Sequence, residues 1–513
     1  MADIISTIES LVGKKVEGQN PLIPLWESFY SGNYKELNYR ITTSSGRKRK
    51  MRKKTLNFPK KLSEDFANFI LNEQVEIVVD ENAKEKVEQF LKDIDFWSRA
   101  NKNLEQAMAL SLGAWVEGIK GIEIDDEDNI IKKGVLNVRF VNANKIYPIT
   151  VIDGVIVECA FATKNTNFTA IEMHLLDKQD NYVVKICKVD NNSHAVIGEI
   201  QEFKTLSNIP LFQLVYPNIV NNIDINSHLP ISIYANQLDK FRCLDEKYDD
   251  FDVEFRNGKK RIFVNSELWK VDTESGSIVR SFDENDTVFY ELQFQDNSKP
   301  MITSSSDPLR ELSYINAINS ELGLISLGVG LGTDLYNFSS QGRPIQTATG
   351  VMAKNSEAIR TIKKHEKVVK DAIIGFIKAV AYLSNNFTDD PFGEIETINV
   401  LFDDTFFEDK DSEQTRDRNN VSAGLMSEVE YRMRWFGEDE EAAKEYVYKN
   451  LRYKLINNNL QALTSGALPV KEFVEICYGD KNEQEKQEII ISITESLQNS
   501  AVPDFDLMVN ETE

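Results

Sequence analysis

At 513 residues the chain is long enough for roughly two to four domains with cores of their own, and its 41% hydrophobic and 27% charged content is ordinary for a globular protein. A formal net charge of −23 excludes a conventional nucleic-acid binder, whose affinity comes from neutralising phosphates with positive side chains. The most apolar helical stretch, 372–383, is interrupted by Lys378 and falls short of the 18 or so apolar residues that a membrane-spanning helix needs.

The first ten residues lack the basic start and apolar centre of a secretory signal, so the sequence predicts a soluble, intracellular protein. Up to about Asn103 the pattern mixes helix and loop. Leu62, Phe66, Phe69 and Ile70 share one face of a helix beginning near Pro59, and Val87, Phe90, Leu91 and Ile94 mark another. Between them and the N-terminus runs a basic cluster of Arg47, Lys48, Arg49, Lys50, Arg52, Lys53 and Lys54, either a solvated strand edge or a contact surface.

From Trp115 to about Val215 short β-type runs take over, and Asp153-Gly154 is a strong hairpin signal. This part reads as a twisted antiparallel sheet. Pro230 marks a change to helix: Tyr234, Leu238, Phe241, Leu244, Tyr248, Phe251 and Phe255 recur at steps of three and four, a narrow seam like that of a coiled coil. Asn257-Gly258 ends it. Residues 259–299 are β-like again and begin with a second basic cluster, Lys259, Lys260 and Arg261. A second helix is predicted from Asp307-Pro308, a capping carboxylate followed by proline. Its apolar face is Leu309, Leu312, Ile315, Ile318, Leu322, Ile325 and Val329. Two helices thus bracket a small β module, which is expected at the tip of a helical pair.

Gly328, Gly330 and Gly332 weaken the second helix, and residues 333–347 have no period. A helical pattern resumes near Thr349 and runs to about Ser384, about 50 Å at 1.5 Å per residue. A loop without structure between two long helices is costly to order and usually has a function. The C-terminal quarter carries a faint repeat at an offset of 42, pairing Gly424 with Gly466, Ser427 with Pro469, Tyr431 with Phe473, Phe436 with Tyr478 and Gly437 with Gly479. Each copy reads as a helix that starts at Ser or Pro, stops at Gly and is followed by an acidic helix, by shared ancestry or by similar capping chemistry.

Catalytic signatures are missing. Gly13-Lys14 lacks the preceding glycine of a phosphate loop, and the glycines at 328–332 end a helix, whereas a dinucleotide fingerprint begins one. Cys159, Cys187, Cys243 and Cys477 form no CxxC pair, which argues against a disulfide framework or zinc site. His174, His194, His228 and His365 have no neighbours at ligand spacing and read as surface or packed residues. Residues 125–129 lack the glycine and distal glutamate of an EF-hand and read as a hairpin turn. Asp403-Asp404 end a strand-like run, a setting where solubility is commoner than a nuclease-like metal pair. The pattern is that of a structural or assembly protein, with no cofactor and no enzymatic activity.

The order of parts resembles the portal proteins of tailed bacteriophages, in the branch found in siphophages and prophages of Gram-positive bacteria. The most specific passages are residues 57–67 (NFPKKLSEDFA), 347–356 (TATGVMAKNS) and 399–409 (NVLFDDTFFED), the last leading into Ala423-Gly424-Leu425-Met426-Ser427. The chain departs from the family at Gly350, where a glutamate often stands; Thr347-x-x-Glu would form a capping box, so this helix start is expected to be weaker or shifted.

The resemblance implies an α+β portal-type subunit. Its parts would be a wing (1–229, helices then antiparallel sheet), a stem helix (230–256), a clip (257–307) and a second stem helix (308–332). A tunnel loop (333–348), a wing spine helix with return strand (349–411) and a helical crown (412–513) would follow. It implies a ring, typically of twelve subunits, at one capsid vertex, a channel for double-stranded DNA in packaging and ejection. Expected partners are the terminase large subunit, head-completion and adaptor proteins, and the major capsid and scaffolding proteins, with no membrane. Thr333, Asp334, Tyr336, Asn337, Ser339, Ser340, Gln341 and Arg343 would face the DNA, Arg343 either touching phosphate or remaining solvated. Lys259, Lys260 and Arg261 would form a basic patch of the clip. The rival readings are a scaffold or connector without a DNA channel, and a metal-dependent DNA-processing enzyme.

Overall fold

The computed structural model describes residues 2–42, 46–71, 75–124, 130–258, 261–265, 270–271, 278–279, 289–292, 302–305, 308–337, 348–402, 410–479 and 481–498. The chain divides into two compact units, Met1–Phe407 and Glu408–Glu513. Among the described residues no helix is long and apolar enough to cross a membrane.

The first unit opens with α1 (Ala2–Val12) and α2 (Ile23–Tyr30), then a two-stranded antiparallel ribbon of β1 (Asn38–Thr42) and β2 (Lys48–Arg52). The helix expected near Pro59 is α3 (Phe58–Ile70), entered through Asn57 in the left-handed region and burying Leu62, Phe66, Phe69 and Ile70. After β3 (Glu76–Val79) comes α4 (Glu81–Asp93), which buries Val87 and Leu91 as the pattern predicted. Helix α5 (Phe96–Leu110) buries Phe96, Leu104 and Met108 together with Ala100 and Ala107, whose small side chains let neighbouring elements approach it closely.

The β-rich part forms two larger antiparallel sheets where one was expected. Its strands are β4 (Gly113–Lys120), β5 (Glu123–Ile124), β6 (Ile130–Lys132), β7 (Val135–Asn142), β8 (Ile146–Ile152) and β9 (Val155–Lys164). They continue with β10 (Phe168–Leu176), β11 (Tyr182–Asp190), β12 (Val196–Lys204) and β13 (Phe212–Val215). The meander β12-β11-β10-β9-β8 is one sheet and β13-β4-β7 the other. The division arises because β4 takes a distant partner, Val116 lying opposite Phe212, while the short 3-10 turn Ala143–Lys145 breaks the run from β7 into β8. Asp153 (φ 50°) and Gly154 (φ 81°) form the two-residue turn between β8 and β9, as a type I′ hairpin requires. Residues 125–129 lie outside the described residues, but the flanking β5 and β6 pair antiparallel.

Helix α6 (Leu238–Asn257) starts eight residues after Pro230, later than its apolar period suggested. Ile231, Ile233 and Tyr234 are drawn into the core instead. The Ile233 N–H donates to the Met108 carbonyl (3.0 Å) and the Tyr234 hydroxyl to that of Trp26 (3.1 Å). The β module follows as β14 (Arg261–Asn265), β15 (Lys270–Val271), β16 (Ile278–Val279), β17 (Phe289–Leu292) and β18 (Ile302–Ser305), with β14 parallel to β17 and antiparallel to β18.

Helix α7 (Glu311–Gly328) also begins later than expected, at Glu311 rather than Pro308. Arg310, at its N-cap, is held by Glu254 of α6 through Nε (3.1 Å) and Nη2 (2.7 Å). Asp307 lies outside the described residues. The long helix α8 (Ala348–Phe387) and β19 (Ile398–Leu401) complete the unit, and β19 pairs antiparallel with β3, Ile398 opposite Val79. The apolar half of α8 lies in the core: Phe376 meets Phe96 (ring centroids 4.8 Å) and Trp115 (6.0 Å).

The second unit is helical: α9 (Lys410–Ser422), α10 (Glu428–Phe436), α11 (Glu440–Thr464), α12 (Val470–Cys477) and α13 (Glu483–Gln498). Its core joins Ile456, Leu463, Phe473, Val474, Cys477, Tyr478 and Ile493. The repeat at an offset of 42 is visible as geometry. Gly424 and Gly466 share φ 73°, Ser427 and Pro469 are N-caps, and Tyr431 and Phe473 are both buried. The copies differ at their ends. Gly437 is a left-handed C-cap, whereas α12 ends through Tyr478 at φ −134°. Residues 499–513, the acidic tail, lie outside the described residues.

Candidate functional site

The break after α7 is a built turn. The Gly330 N–H donates to the Leu327 carbonyl (3.0 Å) and the Leu331 N–H to that of Ser326 (2.9 Å), the paired bonds of a Schellman stop. Gly330 sits at φ 81°, and a Cβ there would lie 2.5 Å from Thr361 Oγ1 of α8, so only glycine lets the turn pack against that helix. Leu331 is buried as the apolar seal of the motif. Gln237, just before α6, donates from Nε2 to the Gly328 carbonyl (3.1 Å), which ties the end of α7 to the start of α6.

Beyond the stop, Thr333, Asp334 and Asn337 are exposed, whereas Tyr336 is turned inward. Its hydroxyl donates to Asp65 Oδ2 of α3 (2.8 Å), and its ring meets Phe58 edge-on (4.8 Å). Burial and then the Asp65 carboxylate push the Tyr336 phenol well above its ordinary pKa, so it stays protonated and donates. Tyr336 is therefore an anchor of the loop's first leg and not one of its outward residues. Ser339, Ser340, Gln341 and Arg343 lie outside the described residues. Asp65, Gln237 and Thr361 were not legible as loop residues. The one local hint was the pairing of Asp65 with Lys61, one helical turn before it (2.5 Å).

The basic arm divides in two. At its root, Arg52 donates from Nη2 to the Gly32 carbonyl (2.6 Å), Lys53 pairs with Glu246 (2.7 Å) and Lys54 with Asp252 (2.6 Å). The Lys54 N–H also donates to Asp249 (2.9 Å), and the Leu56 N–H and Tyr34 hydroxyl donate to buried Asp245 (2.9 and 2.7 Å). The hydrogen bond to Glu246 raises the pKa of Lys53, and the one from Lys54 lowers that of Asp252. At the tip, Arg47 and strand β2 stand exposed, and the side chains of Lys48, Arg49 and Lys50 make no polar contact among the described residues. Seven clustered charges are thus part root and part surface. The acids of α6 that hold the root, at 245, 246, 249 and 252, could have been read as its complement.

Of the second basic cluster, Arg261 begins β14 opposite Ser305, and Lys259 and Lys260 lie outside the described residues, as do Asp403 and Asp404. His174 is packed between Phe161 and Phe212 and meets Glu172 (3.0 Å); His365 Nδ1 accepts the Asn218 N–H (2.9 Å). The four cysteines are free thiols. Among the described residues no cluster of His, Cys, Asp or Glu could hold a metal ion.

Helices α6 and α7 flank the β module in sequence, and the turn that ends α7 is pinned to the start of α6 and packs against α8. The family described as phage portal protein, SPP1 Gp6-like, matches residues 17–452, and the chain belongs to it. It is a structural protein of the virion rather than an enzyme, and forms a ring at one capsid vertex. Among solved structures, it is similar to a chain from the neck of a native GTA particle computed with C12 symmetry, at 8% identity and a TM-score of 0.38, covering 81% of this chain and 93% of that one. No curated protein matches the chain.

Proposed function

We propose that twelve copies of the chain surround double-stranded DNA and that residues 333–348 line the narrowest part of the channel. The pinned turn carries this reading. A segment held at its first leg by the Schellman stop, the Gly330–Thr361 contact and the Tyr336–Asp65 bond can present a short stretch of chain at a defined place. In a ring that stretch repeats once per subunit, and the overall acidity lets DNA slide rather than stick.

On this reading α6 and α7 are the stem, and their burial supports it. Phe241, Leu244, Ile318 and Ile325 are buried near the base, while Phe255, Leu309 and Leu312 near the β module are exposed, as suits helices that pack against copies of themselves. Residues 257–307 are then the clip, which meets the terminase large subunit and later the head-completion and adaptor proteins. Residues 1–229 and 349–411 form the wing and 412–513 the crown, and the major capsid and scaffolding proteins are further partners of the ring. The protein falls in the branch of the family found in siphophages and prophages of Gram-positive bacteria.

Native mass measurement with negative-stain imaging tests the ring, and a stable monomer in every condition would overturn it. Deleting residues 339–343 should leave rings intact and reduce DNA packaging or retention. Ring failure in that variant would instead make the segment structural. Mg²⁺-dependent nuclease activity abolished by Asp403→Ala would contradict a purely structural role.

A further inference from the structure

Residues 216–237 join β13 to α6 without helix or strand, a long connection for the inside of a compact unit. Side chains brace it. Asn218 donates from Nδ2 to the Lys364 carbonyl of α8 (2.7 Å), and the amides of Asn222 and Asn236 bond each other (3.0 Å), which ties the loop to the start of α6. Asn221 Oδ1 accepts the Ile223 and Asp224 N–H groups (3.1 and 3.0 Å), and its Nδ2 donates to the Leu229 carbonyl (3.0 Å). The braced loop nevertheless holds Val220 81% and Ile225 87% exposed. In the β8–β9 hairpin, Val155 is 62% exposed and its cross-strand partner Ile152 52%. Val155, Val220 and Ile225 all line one cleft of about 880 Å³, together with half-buried Leu214, Tyr216 and Ile219. Asp371 of α8 is the one acid among its lining residues, and no lysine or arginine lines it. Asp153 and Asp224 are next in sequence to lining residues, at the margin. Exposed aliphatic side chains are ordinary when scattered and mark an interaction surface when they gather around one concavity.

We propose that this cleft, with its rim of Val220 and Ile225, is a contact between neighbouring copies in the ring, covered by an apolar surface of the adjacent chain. The inference rests on ring formation. In a closed ring of identical chains each subunit is covered on two different faces by its neighbours, so surface that is wet in one chain becomes interior in the assembly. The loop is also linked to the helical pair. Asn236 holds Asn222, and the next residue, Gln237, holds the Gly328 carbonyl at the end of α7, where Leu324 and Leu327 are 48% and 47% exposed. Exposed apolar side chains thus lie on both sides of that link, and a copy that packs on the base of the pair is placed to cover the loop as well. An aliphatic centre with carboxylates at the margin is the make-up of a protein interface. Nucleic acid fits poorly, because no cation lines the cleft. A braced loop also loses little freedom on contact, so less of the gain from burying Val220 and Ile225 is offset by ordering.

The test places charge on the rim and reads assembly. Val220→Lys/Ile225→Lys should raise the protein concentration needed for half-assembly about tenfold or more. Both side chains are in solvent within one chain, so dissociated subunits of the variant should melt as the wild type does. Unchanged assembly overturns the proposal. Rings of normal stability that fail to enter heads would assign the cleft to another virion protein, and overturn it as well. Hydrogen exchange on wild-type protein decides the matter whatever the stability of the variant: amides at 219–226 should exchange about tenfold or more slowly in rings than in dissociated subunits. Rings without that protection refute this interface alone. Absence of wild-type rings refutes the ring reading itself.

Discussion

The first unit and the C-terminal unit bury their apolar residues in different ways. In the first, one aromatic cluster gathers Phe96 of α5, Trp115 of β4 and Phe376 of α8, elements separated by most of the unit's sequence, with ring centroids 4.8–6.0 Å apart. In the second, Ile456, Phe473, Cys477 and Ile493 come from three consecutive helices. A core of distant contacts forms only when the whole unit folds, whereas a core of local contacts can form and open by itself. A portal subunit that keeps a rigid body and a more independent helical end would be built in this way.

The contrast can be broken most sharply at Phe376. Phe376→Ala should cost about 3–5 kcal/mol and melt the first unit as a whole, followed by hydrogen exchange during thermal denaturation, while α11–α13 keep their protection. Loss of both units together would mean that they are one cooperative structure.

Acid is the next lever, because all four histidines lie in the first unit. Burial, and to a lesser degree Lys364, pushes His365 down to about 4 from an ordinary 6.5. Between those values the unfolded chain binds a proton that the folded chain refuses. Stability is therefore complete above pH 6.5 and falls as pH drops toward 4, by up to ~3 kcal/mol. Denaturant midpoints at pH 7 and pH 5 should differ for the first unit, and His365→Gln should flatten the difference. An equal acid loss in the C-terminal unit would sink this account.

The smallest effect belongs to the C-terminal unit. Ser427 Oγ accepts the Glu430 N–H (3.0 Å), so Ser427→Ala should cost about 1 kcal/mol and fray α10. Pro469, the corresponding N-cap, has no side-chain acceptor, and Pro469→Ala should leave α12 less affected. Circular dichroism melts of the two variants would rank them.

Legibility in the sequence followed the same division. The C-terminal repeat was visible because caps and stops act within a few residues. The helices α3 and α8 and the break at 328–332 were visible for the same reason, and α8 begins at Ala348, one residue before its expected start. The partition into two sheets was not, because the pairing of Val116 with Phe212 depends on a strand far along the chain. Likewise nothing local separates Tyr336 from the outward residues beside it.

The sequence alone determined the periods of the helices, the glycine stop before the loop, the acidity of the chain and the want of catalytic motifs. Those depend on backbone preference and on composition, which each residue carries with it. Tertiary structure decided that Tyr234 leaves the α6 seam for the core, that Asp65 holds the loop, and that the basic cluster is half root and half exposed edge. Each of these is settled by a partner from a distant element, and burial or pairing with that partner outweighs local pattern.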